Sequence, residues 1–253
     1  PIVAPGLGQL ILFVAPWPWI FGVLLIYGCA IFLWALLRLP ETLLPENTTP
    51  FRPAAVAGAY LATLRERQFV GYALASTFMA ACLMGYITAS EQVFVEVYDL
   101  ALAYPLAFAA VALTMSVGTF VNSRIVMGYG MRRISHSMLL AFITLAATLA
   151  AALAAGLAPL MLFLPLLSVT LGLFGLIAGN FNALAMEPVG RRAGSAAALY
   201  GGVTATGGAL LGAAIAHQFD GSALPFALGL VAASMASLAA VLWTENGKLF
   251  SAR

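Results

Sequence analysis

Residues 180–202 read NFNALAMEPVGRRAGSAAALYGG, and they leave the chain few ways to fold. They join two long apolar runs with only Glu187, Pro188, Gly190, Arg191, Arg192 and Gly194 between them. Runs of about twenty apolar residues can each cross about 30 Å of hydrocarbon, so this turn predicts a membrane hairpin with its charged tip in water. Beyond the turn, Gly201, Gly202, Gly207, Gly208 and Gly212 are interleaved with Ala and Thr. A helix with so little side chain can pack backbone against backbone inside a bundle.

The same reading extends along the chain. Runs of membrane length fall at roughly 18–38, 69–92, 104–125, 135–156, 159–183, 194–217 and 223–243, and residues 1–15 read as the second part of another span. The expected fold is therefore an all-α, polytopic membrane bundle. Only 8% of residues are charged, against roughly 25% in soluble domains, so a water-facing surface cannot be built. A net charge of +2 without a basic run argues against nucleic acid. Cys29 and Cys82 sit within apolar runs and read as small buried hydrophobes. No spacing suits a metal, and no cofactor is expected. The chain opens at Pro1 within an apolar run, and it is read as a piece of a longer protein.

Charge placement orients the spans. If span ends alternate sides, all eleven Lys and Arg residues, from Arg38 to Arg253, fall on one side. Glu91, Glu96, Asp99 and Asp220 fall on the other. Basic residues stay cytoplasmic, so that side and the C-terminus are expected in the cytoplasm. The long connection at 39–68 reads as a cytoplasmic linker, first the extended PETLLPENTTPFRP and then a short amphipathic helix from Ala54 to Arg67. It separates 1–38 from a six-helix unit at 69–253.

The spans differ in polarity. Those at 69–92, 104–125, 159–183 and 194–217 carry hydroxyls and amides, whereas those at 18–38, 135–156 and 223–243 carry few. Polar groups in hydrocarbon need partners, so the first set is expected to line an interior and the second to face lipid. The period of three implies two three-helix repeats, as in one half of a transporter.

Several motifs, kept in order, carry a resemblance. PIVAPGLGQLILFVAPWPWIF followed by LRLPETL, then NSRIVMGYGMRR, then NFNALAMEPVGRRAGSAAAL resemble the fifth helix onward of major facilitator superfamily drug:proton antiporters. The likeness is strongest to the bicyclomycin-resistance (Bcr/CflA) branch, and it places the chain from the fifth helix to the twelfth. It implies that Pro5, Gly6 and Gly8 belong to the antiporter motif of the fifth helix. It also implies that four helices and the proton-coupling acid lie in an N-terminal half outside this chain. Met127, Gly128 and Pro18 depart from the pattern of the resemblance.

Candidate sites follow. Tyr86 and Ser90 lie one helical turn apart and share a face. With Thr114, Tyr200 and Thr204 at comparable depth, they are candidates to contact an amphipathic substrate, and helix-to-helix packing is the competing role for each. Glu91 is a candidate proton site, although a solvated place beside Glu96 and Asp99 is favoured. Arg132 and Arg133, or Glu187 with Arg191 or Arg192, are candidates for a cytoplasmic gate that holds one conformer closed. The orienting effect of basic residues alone is the favoured account of them. Gly175/Gly179 and Gly208/Gly212 form GxxxG pairs. Neither His136 nor His217 has a partner pattern of an enzyme, so no catalytic residue is expected.

The reading is a secondary active transporter of the inner membrane that exports small amphipathic compounds against protons by alternating access. Its partners are the lipid bilayer, a small-molecule substrate, protons and the missing N-terminal half, without which this piece should not transport. An uptake symporter for a metabolite and a truncated, non-transporting membrane protein are the alternatives.

Overall fold

Where hydrocarbon replaces water, backbone N–H and C=O groups must bond within their own segment, and a helix is the simplest solution. The computed structural model describes residues 4–40 and 53–250, and the described residues form ten α-helices and no strand. Residues 41–52 and 251–253, with the sequence expectations that fall on them, lie outside the described residues, as do the side chains of Pro5, Gly6 and Arg191.

The chain divides into two compact units, Pro1–Ala55 and Val56–Arg253. The first holds α1 (Ala4–Val14) and α2 (Pro18–Arg38). Proline at the first position of α2 costs no helical hydrogen bond, since that N–H has no partner there anyway. Trp17 stands edge-on to Phe21 at 6.1 Å between ring centres. Pro5, Gly6 and Gly8 all fall in α1. The linker resumes as α3 (Pro53–Leu64), which carries no charged residue.

The second unit holds α4 (Arg67–Glu91), α5 (Tyr104–Tyr129), α6 (Met131–Ala154), α7 (Leu160–Gly172), α8 (Phe174–Met186), α9 (Ala193–Ala216) and α10 (Leu224–Thr244). Among the described residues seven membrane-length spans result, as the apolar runs predict, with α7 and α8 sharing one. Helix α4 is the axis. It packs against α8, α9 and α10, and 61% of its central stretch is buried, against 11% for α9. Around it, α5 packs on α7 and α8, and α6 on α8 and α10.

Three details differ from the sequence expectation. First, NSRIVMGYGMRR contains scarcely any loop, because α5 and α6 run into it from both sides and only Gly130 separates them. Gly130 has φ +80 and ψ +148, a region essentially closed to residues with a Cβ. Second, the span at 159–183 breaks at Leu173. Thr114 Oγ1 of α5 lies 2.7 Å from Val111 O in its own helix and 2.7 Å from Ser168 O, just before the break. Third, α10 is not a featureless lipid-facing helix. Ser234 and Ser237 are fully buried, and Ser237 Oγ donates to Ala75 O of α4 at 3.0 Å.

Most hydroxyls of the spans bond within their own helix. Thr77, Thr170, Thr204 and Thr244 each donate to the carbonyl four residues back, at 2.7–2.8 Å. Much of the polarity of the spans is thus met locally.

The glycines of α9 set how near it approaches α4. A Cβ on Gly212 would lie 2.5 Å from Met84 Cβ and 2.6 Å from the Gly85 nitrogen, and one on Gly208 would lie 2.7 Å from Ala80 Cβ. Both glycines of that pair are therefore used in packing. Gly175 is as tightly placed against Met115 O, but Gly179 has open space around it. Gly212→Ala is expected to lower stability by about 1–3 kcal/mol through overpacking, whereas Gly179→Ala should change it little. Thermal unfolding of the two variants in one detergent or nanodisc preparation reads the difference.

Candidate functional site

The richest polar arrangement lies where α4 and α6 begin and α8 and α10 end. Arg132, in the first turn of α6, donates from Nε to Glu245 Oε1 at 2.9 Å and from Nη2 to Glu187 Oε2 at 3.0 Å. Glu187 Oε2 also accepts from Gln68 Nε2 at 2.7 Å, and the same Gln68 nitrogen donates to Leu184 O at 2.8 Å. Glu245 Oε1 accepts from the Tyr72 hydroxyl at 2.7 Å, and that hydroxyl lies 3.0 Å from His136 Nε2. One guanidinium thus ties the ends of α8 and α10 to α6, with α4 entering through Gln68 and Tyr72.

Two pairs flank this cluster. Arg67 donates to Trp243 O at the end of α10 and lies 5.1 Å above the Trp243 ring, where a cation meets the negative end of the helix. Arg192 and Glu66 approach to 3.3 Å, both partly exposed.

The members differ in exposure. The Arg132 and Glu245 side chains are 11% and 6% exposed, against 47% for Glu187. The Arg132–Glu245 pair is therefore the buried one, and the bond to Glu187 is the solvated arm. Burial by itself would raise the Glu245 carboxyl. The hydrogen bonds from Tyr72 and Arg132, with the charge of the guanidinium, outweigh it and hold that carboxyl below its ordinary value.

Of the residues singled out from sequence as gate candidates, Arg132 and Glu187 meet here. Arg192 turns instead to Glu66, and Arg133 is exposed. Arg191 lies in the 3-10 turn Glu187–Arg192, with its side chain outside the described set. Sequence reasoning passed over Gln68, Tyr72, His136 as a bonded residue, and Glu245. The signal available was spacing: Gln68 with Tyr72, and Arg132 with His136, are four apart, so each pair shares one helix face. Nothing local marks Glu245 as their partner, since it is 113 residues from Arg132.

The hydroxyl candidates for substrate contact fall into three separate helix contacts. Tyr86 is buried and stacks on Phe108 of α5, with ring centres 5.4 Å apart and planes within 18°. Ser90, one turn on, lies 3.0 Å from the Tyr104 hydroxyl. Thr114 joins α5 to α7, as described above. On α9, the Tyr200 hydroxyl donates to Ser76 Oγ at 2.7 Å, and Thr204 Oγ1 donates to Tyr200 O. Among the described residues, the Tyr86 hydroxyl is the buried side-chain polar atom without a hydrogen-bond partner. Glu91 is exposed at the opposite end of α4 from the Arg132 cluster.

Seven apolar helices of membrane length among the described residues, with Arg67, Arg132 and Arg192 drawn to one end of the unit Val56–Arg253, define a multi-pass membrane protein. The model of the Major Facilitator Superfamily matches residues 1–213, and the chain belongs to that family of transporters. Over 206 residues it is 31% identical to an uncharacterized MFS-type transporter, YdgK, of Bacillus subtilis (strain 168), which covers 79% of this chain and 50% of that protein. Over 255 residues it is 27% identical to a bicyclomycin resistance protein homolog of Haemophilus influenzae, which covers 99% of this chain and 63% of the relative. The chain thus spans between half and two thirds of the length of these curated relatives. No solved structure matches it.

The cluster predicts a pH response and an order of mutational effects. Glu245, with its carboxyl held low, contributes stability that is complete above its ordinary value of about 4.5. That contribution is lost as pH falls through the lower value it has when folded. Thermal unfolding should therefore weaken on acidification below about pH 4.5, and Glu245→Gln should flatten that dependence. Arg132→Met takes the guanidinium away from a buried carboxylate and is expected to cost about 3 kcal/mol. Glu187→Gln, at the solvated arm, should cost about 1 kcal/mol or less.

Proposed function

We propose that this chain is the C-terminal part of a secondary active transporter that exports small amphipathic compounds in exchange for protons. The observation that carries the reading is the match over 99% of the chain to a bicyclomycin resistance protein homolog. The arrangement of charges supports an orientation with the Arg132 cluster and the end of α10 in the cytoplasm, because basic residues resist translocation. The inner membrane is the proposed location.

In this reading the Arg132–Glu187–Glu245 cluster is a cytoplasmic gate. An ion pair buried at one end of a bundle stabilises the conformer in which that end is closed, and opening must separate it. Arg133, Arg191 and Arg192 keep the loops on the same side. Tyr86, Ser90, Thr114, Tyr200 and Thr204 are proposed to contact substrate. Tyr86 is the strongest of these, since its hydroxyl has spent no bond on packing. The other four exchange an existing hydrogen bond for one to substrate. Glu91, exposed at the outer end, is proposed as a solvated residue at the outer mouth. Proton coupling is assigned chiefly to an acid in the N-terminal half, and Pro5, Gly6 and Gly8 to the bend that lets two halves rock.

Cells carrying the full-length gene should retain less of an amphipathic dye or antibiotic than cells without it, and a protonophore should abolish the difference. Retention unaffected by the protonophore would remove the proton-coupled reading. Net accumulation above control would instead indicate uptake. Tyr86→Phe separates contact from packing. Deleting a buried hydroxyl that has no partner should leave thermal stability unchanged or slightly raised, while efflux falls several-fold. Unchanged efflux would make Tyr86 a packing residue.

A further inference from the structure

We propose that His136 and the segment following α10 form a proton-operated latch, docked while the Nδ1 nitrogen of His136 is bare and released when a proton occupies it. The bond pattern carries this. His136 is fully buried near the start of α6, and both of its ring nitrogens are engaged. Phe250 donates its backbone N–H to His136 Nδ1 at 3.3 Å. An amide nitrogen can only donate, so Nδ1 must offer its lone pair. A neutral ring then carries its hydrogen on Nε2 and donates to the Tyr72 oxygen at 3.0 Å. Tyr72 in turn donates to Glu245 at 2.7 Å. Phe250, His136, Tyr72 and Glu245 thus form one chain of bonds with a single consistent direction.

In that chain the ring has no vacant lone pair. A second proton has only Nδ1 to occupy, and there it would face the Phe250 N–H, donor against donor. The step is a simple addition: a proton from water bonds to the Nδ1 lone pair, and the hydrogen bond from Phe250 is lost. No other group changes charge. Proton and segment therefore compete for one pair of electrons.

The docked segment is also held against its own backbone preference. Phe250 has a φ of +66. A phenylalanine keeps a positive φ only where contacts enforce it. The contacts enforcing it are to the same imidazole, with the Phe250 ring 6.0 Å from the His136 ring and the N–H on Nδ1. Once Nδ1 is taken, the Phe250 amide loses its acceptor, while the turn before it keeps Gly247 N–H on Leu242 O and Lys248 N–H on Glu245 O.

The charged and titratable groups around the ring come from every element packed there. Helix α4 supplies Tyr72, α6 supplies Arg132, the turn after α8 supplies Glu187, and the segment after α10 supplies Glu245. From α8 itself, Phe181 packs on Tyr72. Glu245 favours an imidazolium and Arg132 opposes one, but the two are paired with each other. The pH response therefore rests on competition at Nδ1. A released ring can take a proton at Nδ1 and a docked ring cannot, and the reference value for a histidine is about pH 6.5. By linkage, docking should weaken about tenfold for each pH unit below that value.

Hydrogen–deuterium exchange of the full-length protein in nanodiscs tests the latch, read at the Phe250 amide from overlapping peptides between pH 8 and pH 5 and corrected for intrinsic exchange. Protection should be constant at the alkaline end and fall about tenfold per unit below about pH 6.5. His136→Gln can accept the Phe250 N–H through its amide oxygen but cannot titrate, so it should keep protection and lose the pH dependence. His136→Phe has no acceptor and should lack protection at every pH. Protection in the unsubstituted protein that does not respond to pH, or a pH slope that survives in His136→Gln, would overturn the proposal. Either result is independent of whether the protein exports drugs.

Discussion

In an apolar surround a polar group has no water to fall back on, and the rest of this structure depends on that constraint. It makes every span helical and sends serine and threonine hydroxyls to carbonyls of their own helix. It also drives the charged residues to the ends. The exceptions are informative for the same reason. Thr114 and Ser237 use a carbonyl of a neighbouring helix, and at those points α5 meets α7 and α10 meets α4. Tyr86 uses none.

Association of the helices then needs something other than hydrophobicity, because lipid tails are as apolar as leucine. Close backbone approach supplies part of it. Small residues at Gly208 and Gly212 let α9 rest on Ala80, Met84 and Gly85 of α4. The ion pair of Arg132 with Glu245 and the Tyr72–His136 contact add a second fastening at one end, where water begins and charge is tolerated. The helix faces near mid-depth are held by close packing and single hydrogen bonds such as that of Tyr200 to Ser76, and the charged end by ion pairs. That division suits a protein whose family moves substrates by changing which end is open.

A good part of this was legible beforehand. Seven spans, an all-helical bundle and the gathering of arginines at one end follow from runs of hydropathy and from the positions of Lys and Arg, which are local properties. The reading went astray where it inferred arrangement from polarity. Span 223–243 looked featureless because its two inward serines are few, yet they bond and bury like those of the polar spans. Residues 122–133 resemble an interhelical loop of the family, although helix continues through them and a single glycine makes the turn. Arg132 was singled out, but half of its partners were not.

By itself the sequence determined that the chain is a membrane bundle, where its spans lie and which of their ends carry the cations, since each of these is decided by free energies summed over neighbouring residues. Only the tertiary structure decided that Arg132 closes on Glu245, that His136 holds Phe250, and that Tyr86 is left with an unspent hydroxyl. Those contacts join residues as much as 114 positions apart. Their existence depends on which helix faces meet, and no local signal carries that information.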